Sequence, residues 1–190
     1  MARNPPHVAF AFSGSLRQSS QLYAGIGDFL RRRQLEWRLI ALDFGFESRL
    51  VELAAAGALD AALASFASDS WLSGLPGGGL HLVNLFNFSQ VRSIPGTGVD
   101  DREIGRQAAR HLLAGGARAL VCVGSDRVHH DQLRCAGFSE AAGCGHAAQP
   151  VAVESLDDWL GAARAGGGRL GLFCLDDRLA RLAVQRARRH

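Results

Sequence analysis

The chain contains no lysine: all 21 of its Lys/Arg positions are arginine, set against 18 acidic residues for a formal charge of +3. With alanine and glycine abundant, this marks a compositional bias rather than a function. No zinc-finger or RNA-binding signature is present to give the arginines a nucleic-acid reading. Arg31-Arg32-Arg33 and the tail RLAVQRARRH are local clusters, and their spacing places them on solvated helix faces. No apolar run approaches about 18 residues, so no transmembrane helix is expected. The opening MARNPPHVAFAFSG passes from a short apolar segment straight into polar residues. It reads as a tail and a first strand rather than a signal peptide, which points to the cytoplasm and to no membrane partner. Cysteine is scarce, at 4 residues, and none forms CxxC. Cys122 and Cys174 lie in apolar strand runs, and Cys135 and Cys144 lie on or near one helix. Buried reduced thiols are expected there. His129, His130, Cys135 and Cys144-Gly145-His146 match no standard zinc spacing, so no metal site is expected. GxSxG, GxxxxGK[ST] and HExxH are absent too, and no catalytic residue or cofactor is assigned.

What is present is a succession of apolar strands and amphipathic helices, which calls for an α/β fold with parallel sheets. The first strand is His7 to Phe12, closed by Ser13-Gly14-Ser15. A helix capped by Ser19 or Ser20 runs to Arg33, burying Leu22, Ile26, Phe29 and Leu30. Strands come next at Trp37 to Leu42, within Ala58 to Phe66, and at Leu80 to Phe86, with a helix from Glu47 to Ala56 and a short one near Trp71. Ile94 to Val99 carries a proline and two glycines and suits only a sheet edge. Val99 to Gly137 forms the longest continuous pattern. Asp100 and Glu103 have capping-box spacing, Ile104, Ala108 and Leu112 recur at helical intervals, and Gly115-Gly116 stops the helix. ALVCVG (Ala119 to Gly124) is a strand covered on both faces, and a second helix carries Arg134. Pro150 to Val153 and Leu170 to Leu175 are further strands, with helices from Leu156 to Ala165 and from Asp177 onward. The polar Ser125-Asp126 divides two lobes, residues 1–124 and 125–190.

In doubly wound sheets, ligands bind beyond the carboxyl ends of the strands. The residues just past the strands are Ser13, Ser15 and Arg17, Asp43, Ser65 and Ser68, Asn87, Asp100 and Asp101, Ser125 and Asp126, Ser155, and Asp176. Hydroxyls, carboxylates and an amide, with Phe44, Phe66, Phe86 and Phe88 nearby, suit a neutral polyhydroxylated ligand such as a sugar. At any one position the alternative is a simple helix cap.

Three segments carry a family likeness. V-D-D before a helix, H-L-L-A-G-G-A-R-A-L-V-C-V-G, and R-C-A-G-F resemble the effector-binding domain of LacI/GalR-type regulators, although Ala117 stands where the family has histidine. L-F-C-L-D-D-R-L-A matches the family's strand that ends on a polar ligand contact. Tyr23 to Trp37 looks closer still to the sensor half of xylose-operon regulators of the AraC type. The resemblance implies two Rossmann-like lobes of type I periplasmic-binding-protein character, the second incomplete. It also implies an interlobe sugar site, a homodimer, and contact with DNA only through a module outside this chain. Arg134 would be the sugar-binding arginine and Asp176 the strand-end contact; Asp100 or Asp101 would accept sugar hydroxyls, with Ser13, Arg17 and Asn87 in support. Arg134→Ala is expected to weaken binding without unfolding the domain. The rivals are a flavodoxin-like enzyme or nucleotide-binding domain built on Ser13-Gly14-Ser15, and a periplasmic solute-binding protein.

Overall fold

The structure is a computed structural model that describes residues 4–11, 16–42, 45–76, 79–86, 88–125, 127–143 and 150–189. It divides into two compact units, Met1–Gly98 and Val99–His190.

In the first unit the chain alternates β1 (His7–Ala11), α1 (Leu16–Arg33), β2 (Arg38–Leu42), α2 (Glu47–Ala55), β3 (Ala61–Ala64), α3 (Asp69–Ser73), β4 (His81–Leu85) and β5 (Gly96–Thr97). All the strand pairs are parallel, in the order β2-β1-β3-β4-β5. The order reverses between β1 and β3, which is the switch point where such sheets open toward a ligand. β1 sits inside the sheet, and its Val8 to Ala11 are buried. Ala9, Ala11, Ala62 and Ala64 pack under Phe46, Leu50 and Leu72 on one face. Small residues in β1 and β3 let these large side chains close on the sheet. Within the segment from Ala58 to Phe66 the strand is Ala61–Ala64, formed despite its alanines because burial between two parallel neighbours outweighs helix propensity. β5 is a two-residue edge strand, in keeping with its proline and glycines.

Two details of α1 depart from expectation. The helix begins at Leu16, so Ser19 and Ser20 lie inside it rather than at its cap. The leading Leu-Arg-Gln favours helix and extends it backward. Phe29 is exposed on the helix surface, with the Arg33 guanidinium 5.9 Å above its ring, while Leu30 is buried.

The second unit contains α4 (Asp101–Ala114), β6 (Ala119–Val123), α5 (His129–Ala142), a 3-10 turn (Val153–Ser155), α6 (Leu156–Ala165), β7 (Leu170–Cys174) and α7 (Asp177–Ala187). β6 and β7 pair in parallel, and β6 also bridges to Val151 on its other side. Leu120 and Cys122 point into a core with Ala109, Cys135 and Phe138 from α4 and α5. Val121 and Val123 point the opposite way, against Val153, Leu156 and Ala183. An apolar residue at every β6 position therefore serves two cores.

Two expectations are corrected by this unit. The expected strand at Pro150 to Val153 reduces to the single bridge at Val151, which receives the Gly124 N–H and donates to Cys122 O. Proline supplies no N–H, and the chain turns into the 3-10 segment two residues later. The lobe boundary falls at Gly98 and Val99, not at residue 125. α4 and β6 belong to the C-terminal unit because α4 packs on α5, and β6 pairs with β7.

The contact between α4 and α5 depends on two glycines. A Cβ at Gly105 would lie 2.0 Å from the Arg134 carbonyl oxygen, and one at Gly137 would lie 1.9 Å from that of Arg102. The backbones therefore touch, and no side chain larger than hydrogen fits at either position. Across the surface of the same pair, Arg102 Nε donates to Glu140 Oε1 at 2.9 Å and Arg106 Nη2 to Oε2 at 3.0 Å.

Candidate ligand-binding edge

In the second unit, the crossover connections bring the amino ends of α4, α5 and α7 to the carboxyl ends of β6 and β7. Asp101 opens α4 and is 2% exposed, one of two buried polar residues among those described. Its Oδ1 accepts from Arg134 Nε at 2.8 Å. Arg134 lies one turn into α5, and the glycine contact brings its backbone against α4. Its Nη1 also donates to the Leu175 carbonyl, 3.2 Å away, just past β7. Among the described residues these bonds engage two of the five guanidinium N–H groups, and the side chain stays 23% exposed. The result is a fixed, planar donor fork at the strand ends, held by a carboxylate beneath it.

Two acids stand beside this fork. Asp131, in the first turn of α5, is 3.1 Å from His130 Nε2. Burial pushes the Asp131 carboxyl above its ordinary value; His130 and Arg134 pull it down, and Asp176 and Asp101 push it up. Asp176 is exposed and caps α7, accepting from Leu179 N at 2.7 Å. Asp100 does the same for α4, accepting from Glu103 N at 2.9 Å.

Of the residues singled out in the sequence, Asp100, Asp101, Arg134 and Asp176 thus converge within one unit, with three different tasks. Asp100 and Asp176 are helix caps, the bland alternative, each using one carboxylate oxygen. Asp101 is a buried counter-ion for Arg134 rather than an exposed acceptor. Ser13 and Asn87, with Asp43, Phe44 and Asp126, lie outside the described residues, and Arg17 falls within α1 at a position whose side chain is not described. Phe66 is corrected from a ligand platform to a core residue: it is buried and stacks on Trp71 at 5.9 Å.

Asp131 was missed in the sequence. Its neighbour His130 was weighed only as a metal ligand, and nothing in H-H-D-Q shows that the helix turns this acid toward Asp101 and Asp176. Asn84 in the first unit was missed as well. It lies inside an apolar strand, accepts from Phe66 N at 3.0 Å and donates to Phe86 O at 3.3 Å, tying the ends of β3 and β4 together. Phe86, one residue past β4, has φ +64° and meets Phe88 edge-on at 5.9 Å. A strained non-glycine backbone at a strand's carboxyl end is a recurrent feature of binding loops. An apolar hollow lined by Arg118, Trp159 and Leu170 lies at the opposite, amino end of β6 and β7 and shares none of these residues.

No protein-family model matches the sequence, and no curated protein matches it. Solved structures do. A sugar ABC transport substrate-binding protein from Bordetella parapertussis aligns with a TM-score of 0.73 at 20% identity, over 99% of this chain and 66% of that one. The Cra transcriptional dual regulator from Pseudomonas putida, in complex with fructose 1-phosphate, aligns at 0.68 and 18% identity, over 97% and 74%. A periplasmic binding protein/LacI transcriptional regulator from Alkaliphilus metalliredigens, complexed with D-xylulofuranose, aligns at 0.66 and 15% identity, over 97% and 72%. The fold is type I periplasmic-binding-protein-like. At these identities the likeness establishes architecture, and both transport proteins and LacI-type regulators share it. Within this fold, the Arg134 fork stands at the strand ends, where α/β sheets receive ligands. Among the described residues no helix is long and apolar enough to cross a membrane.

Proposed function

We propose that the chain is the ligand-sensing part of a transcriptional regulator and binds a small carbohydrate at the carboxyl edge that carries Arg134. The observation that carries this reading is the guanidinium fork anchored by Asp101 and the Leu175 carbonyl. Anchoring removes the entropy cost of ordering a long side chain when ligand arrives. The free N–H groups donate to sugar oxygens, and Asp176 and Asp131 accept from hydroxyls; Asp100 stands behind them as a cap. Ser13, Arg17 and Asn87 are the further ligand residues of this reading. Binding alone suffices: a ligand shifts the population of a regulator by its difference in affinity for two states, with no chemical step. Micromolar affinity corresponds to about 8 kcal/mol, enough for a metabolite sensor. The reading includes a homodimer, a cytoplasmic location and DNA contact through a separate module. The likeness of Tyr23 to Trp37 to xylose-operon regulators makes pentoses the first class to test.

A transport-type solute-binding protein is the second reading, favoured by the alignment with the Bordetella protein. It uses the same sugar edge and differs in partner and compartment. The test is a thermal-shift screen of the purified chain against neutral pentoses and hexoses, their phosphates, and nucleotides. A rise in Tm with at least one sugar supports the proposal; a response to nucleotides alone refutes it in favour of a nucleotide-binding domain.

The geometry changes one expectation. Arg134→Ala is no clean probe, because it leaves Asp101 buried and without its charge partner, at a cost of about 3–5 kcal/mol.

A further inference from the structure

The thiols of Cys122 and Cys135 face each other directly behind the ligand edge. Their Sγ atoms are 2.8 Å apart, between the middle of β6 and α5, where Cys135 is the residue after Arg134. Both residues are buried, at 1% and 5% exposure, within the core shared by α4, α5 and β6. Cys174 is the third thiol nearby, and strand geometry keeps it out of this pairing. It stands opposite Val123 in the β6–β7 register and packs toward the core on the other face, whereas Cys122 stands opposite Phe173. Two facing sulfurs, thirteen residues apart and on different elements, are more than a sequence of ordinary core thiols requires.

We propose that Cys122 and Cys135 are a site of reversible oxidation that closes to an intrachain disulfide when a small peroxide reaches the core. Cys135, the more exposed of the two, loses its proton and attacks one peroxide oxygen. The O–O bond breaks, the departing oxygen takes up a proton to leave as water, and Cys135 becomes a sulfenic acid. The Cys122 sulfur then displaces that hydroxyl as a second water and forms the S–S bond. Two thiols and one hydrogen peroxide thus give one disulfide and two waters, with two electrons passing from sulfur to oxygen. The hydrogen bond with Cys135 and burial hold the Cys122 thiol above its ordinary value, so Cys122 is the resolving thiol rather than the attacking one. The bond joins α5 to β6 at the residue after Arg134 and so locks the position of the guanidinium fork. It does not depend on which ligand the edge takes.

The full chain is incubated with millimolar hydrogen peroxide and then alkylated while denatured. Digestion with trypsin and a glutamate-specific protease separates Cys135 from Cys144 by cutting after Glu140. The expected product is peptide 119–127 joined to peptide 135–140, two hydrogens lighter than their sum and split by dithiothreitol. Cys122 and Cys135 recovered as alkylated thiols after a day would overturn the proposal. So would Cys135 recovered as a sulfinic or sulfonic acid, or linked to Cys144 or Cys174 instead.

Discussion

Replacing Gly137 with alanine tests the packing on which the site depends. The new Cβ would lie 1.9 Å from the Arg102 oxygen and 2.8 Å from its carbonyl carbon, all of it backbone that cannot swing aside. Ordinary contact begins near 3.4 Å, so full relief requires α4 and α5 to separate by about 1.5 Å. Asp101 is on α4 and Arg134 on α5, one turn from Gly105 and Gly137 respectively, so the same displacement stretches their 2.8 Å hydrogen bond beyond 4 Å. Overpacking costs about 1–3 kcal/mol, and an uncompensated buried carboxylate costs about 3–5 kcal/mol. Partial relaxation trades one cost against the other, leaving a loss of at least about 1 kcal/mol. For a unit the size of Val99–His190, each kcal/mol lowers Tm by roughly 4–8 °C, a fall of about 4 °C or more. Gly161→Ala is the internal control. It too lies within a helix, α6, but its Cβ would meet nothing within 4 Å, and it should stabilise by about 0.5–1 kcal/mol through helix propensity alone. Thermal melts followed by circular dichroism compare the two. Equal melting temperatures for the two variants would refute the account of the α4–α5 contact.

Asp131→Asn should raise Tm at pH 7, with the gain shrinking as pH falls toward 3.8, the ordinary aspartate value. A carboxyl raised in the folded state contributes stability that is complete below its unfolded value and lost as pH climbs through the folded one. Asp69 and Glu140 are lowered instead, Asp69 chiefly by Ser93 and Glu140 by Arg102, so their stabilisation is lost on acidification. Both are present in either protein and cancel in the difference between melts at matched pH; a gain that grows with acid would contradict the assignment. Asp176→Ser separates capping from ligand contact. Serine keeps the cap, so Tm should move by less than the roughly 1 kcal/mol a lost cap costs, while sugar affinity measured by calorimetry should fall about tenfold, and unchanged affinity would remove Asp176 from the site.

How far the sequence could be read depended on how local each signal was. The apolar run of β6, the N-cap at Asp100 and the edge character of β5 are written in neighbouring residues and appear as expected, although the Glu103 carboxylate bonds Arg106 and Arg110 rather than closing a capping box. The helix face of α4 was offset. Periodicity pointed to Ile104, Ala108 and Leu112, whereas the fully buried row is Asp101, Gly105 and Ala109. An aspartate and a glycine carry no apolar signal, yet one is buried by its arginine and the other by a backbone crossing. Neither partner is legible without the fold. The same holds for Asp131, whose surroundings come from three helices, and for Asn84, whose amide bonds to the chain beyond two strands. Arg134 was singled out because R-C-A-G-F resembles a family pattern, and the same five residues hold Gly137, which seats its helix against α4. The lobe boundary was misplaced because Ser125-Asp126 is polar and turn-like, and local polarity says nothing of which sheet a strand joins.

The measurement closest to the central claim is isothermal titration of the sugar that responds in the thermal screen, made on the wild type and on the double variant Asp101→Asn with Arg134→Gln. Neutralising both partners leaves no buried charge without its counter-ion, and the amides retain hydrogen-bonding capacity, so the variant should melt within a few degrees of the wild type. The account predicts that it binds at least a hundredfold more weakly, the loss of about 3 kcal/mol expected for a charge-assisted donor fork. Wild-type affinity in a folded double variant would contradict it.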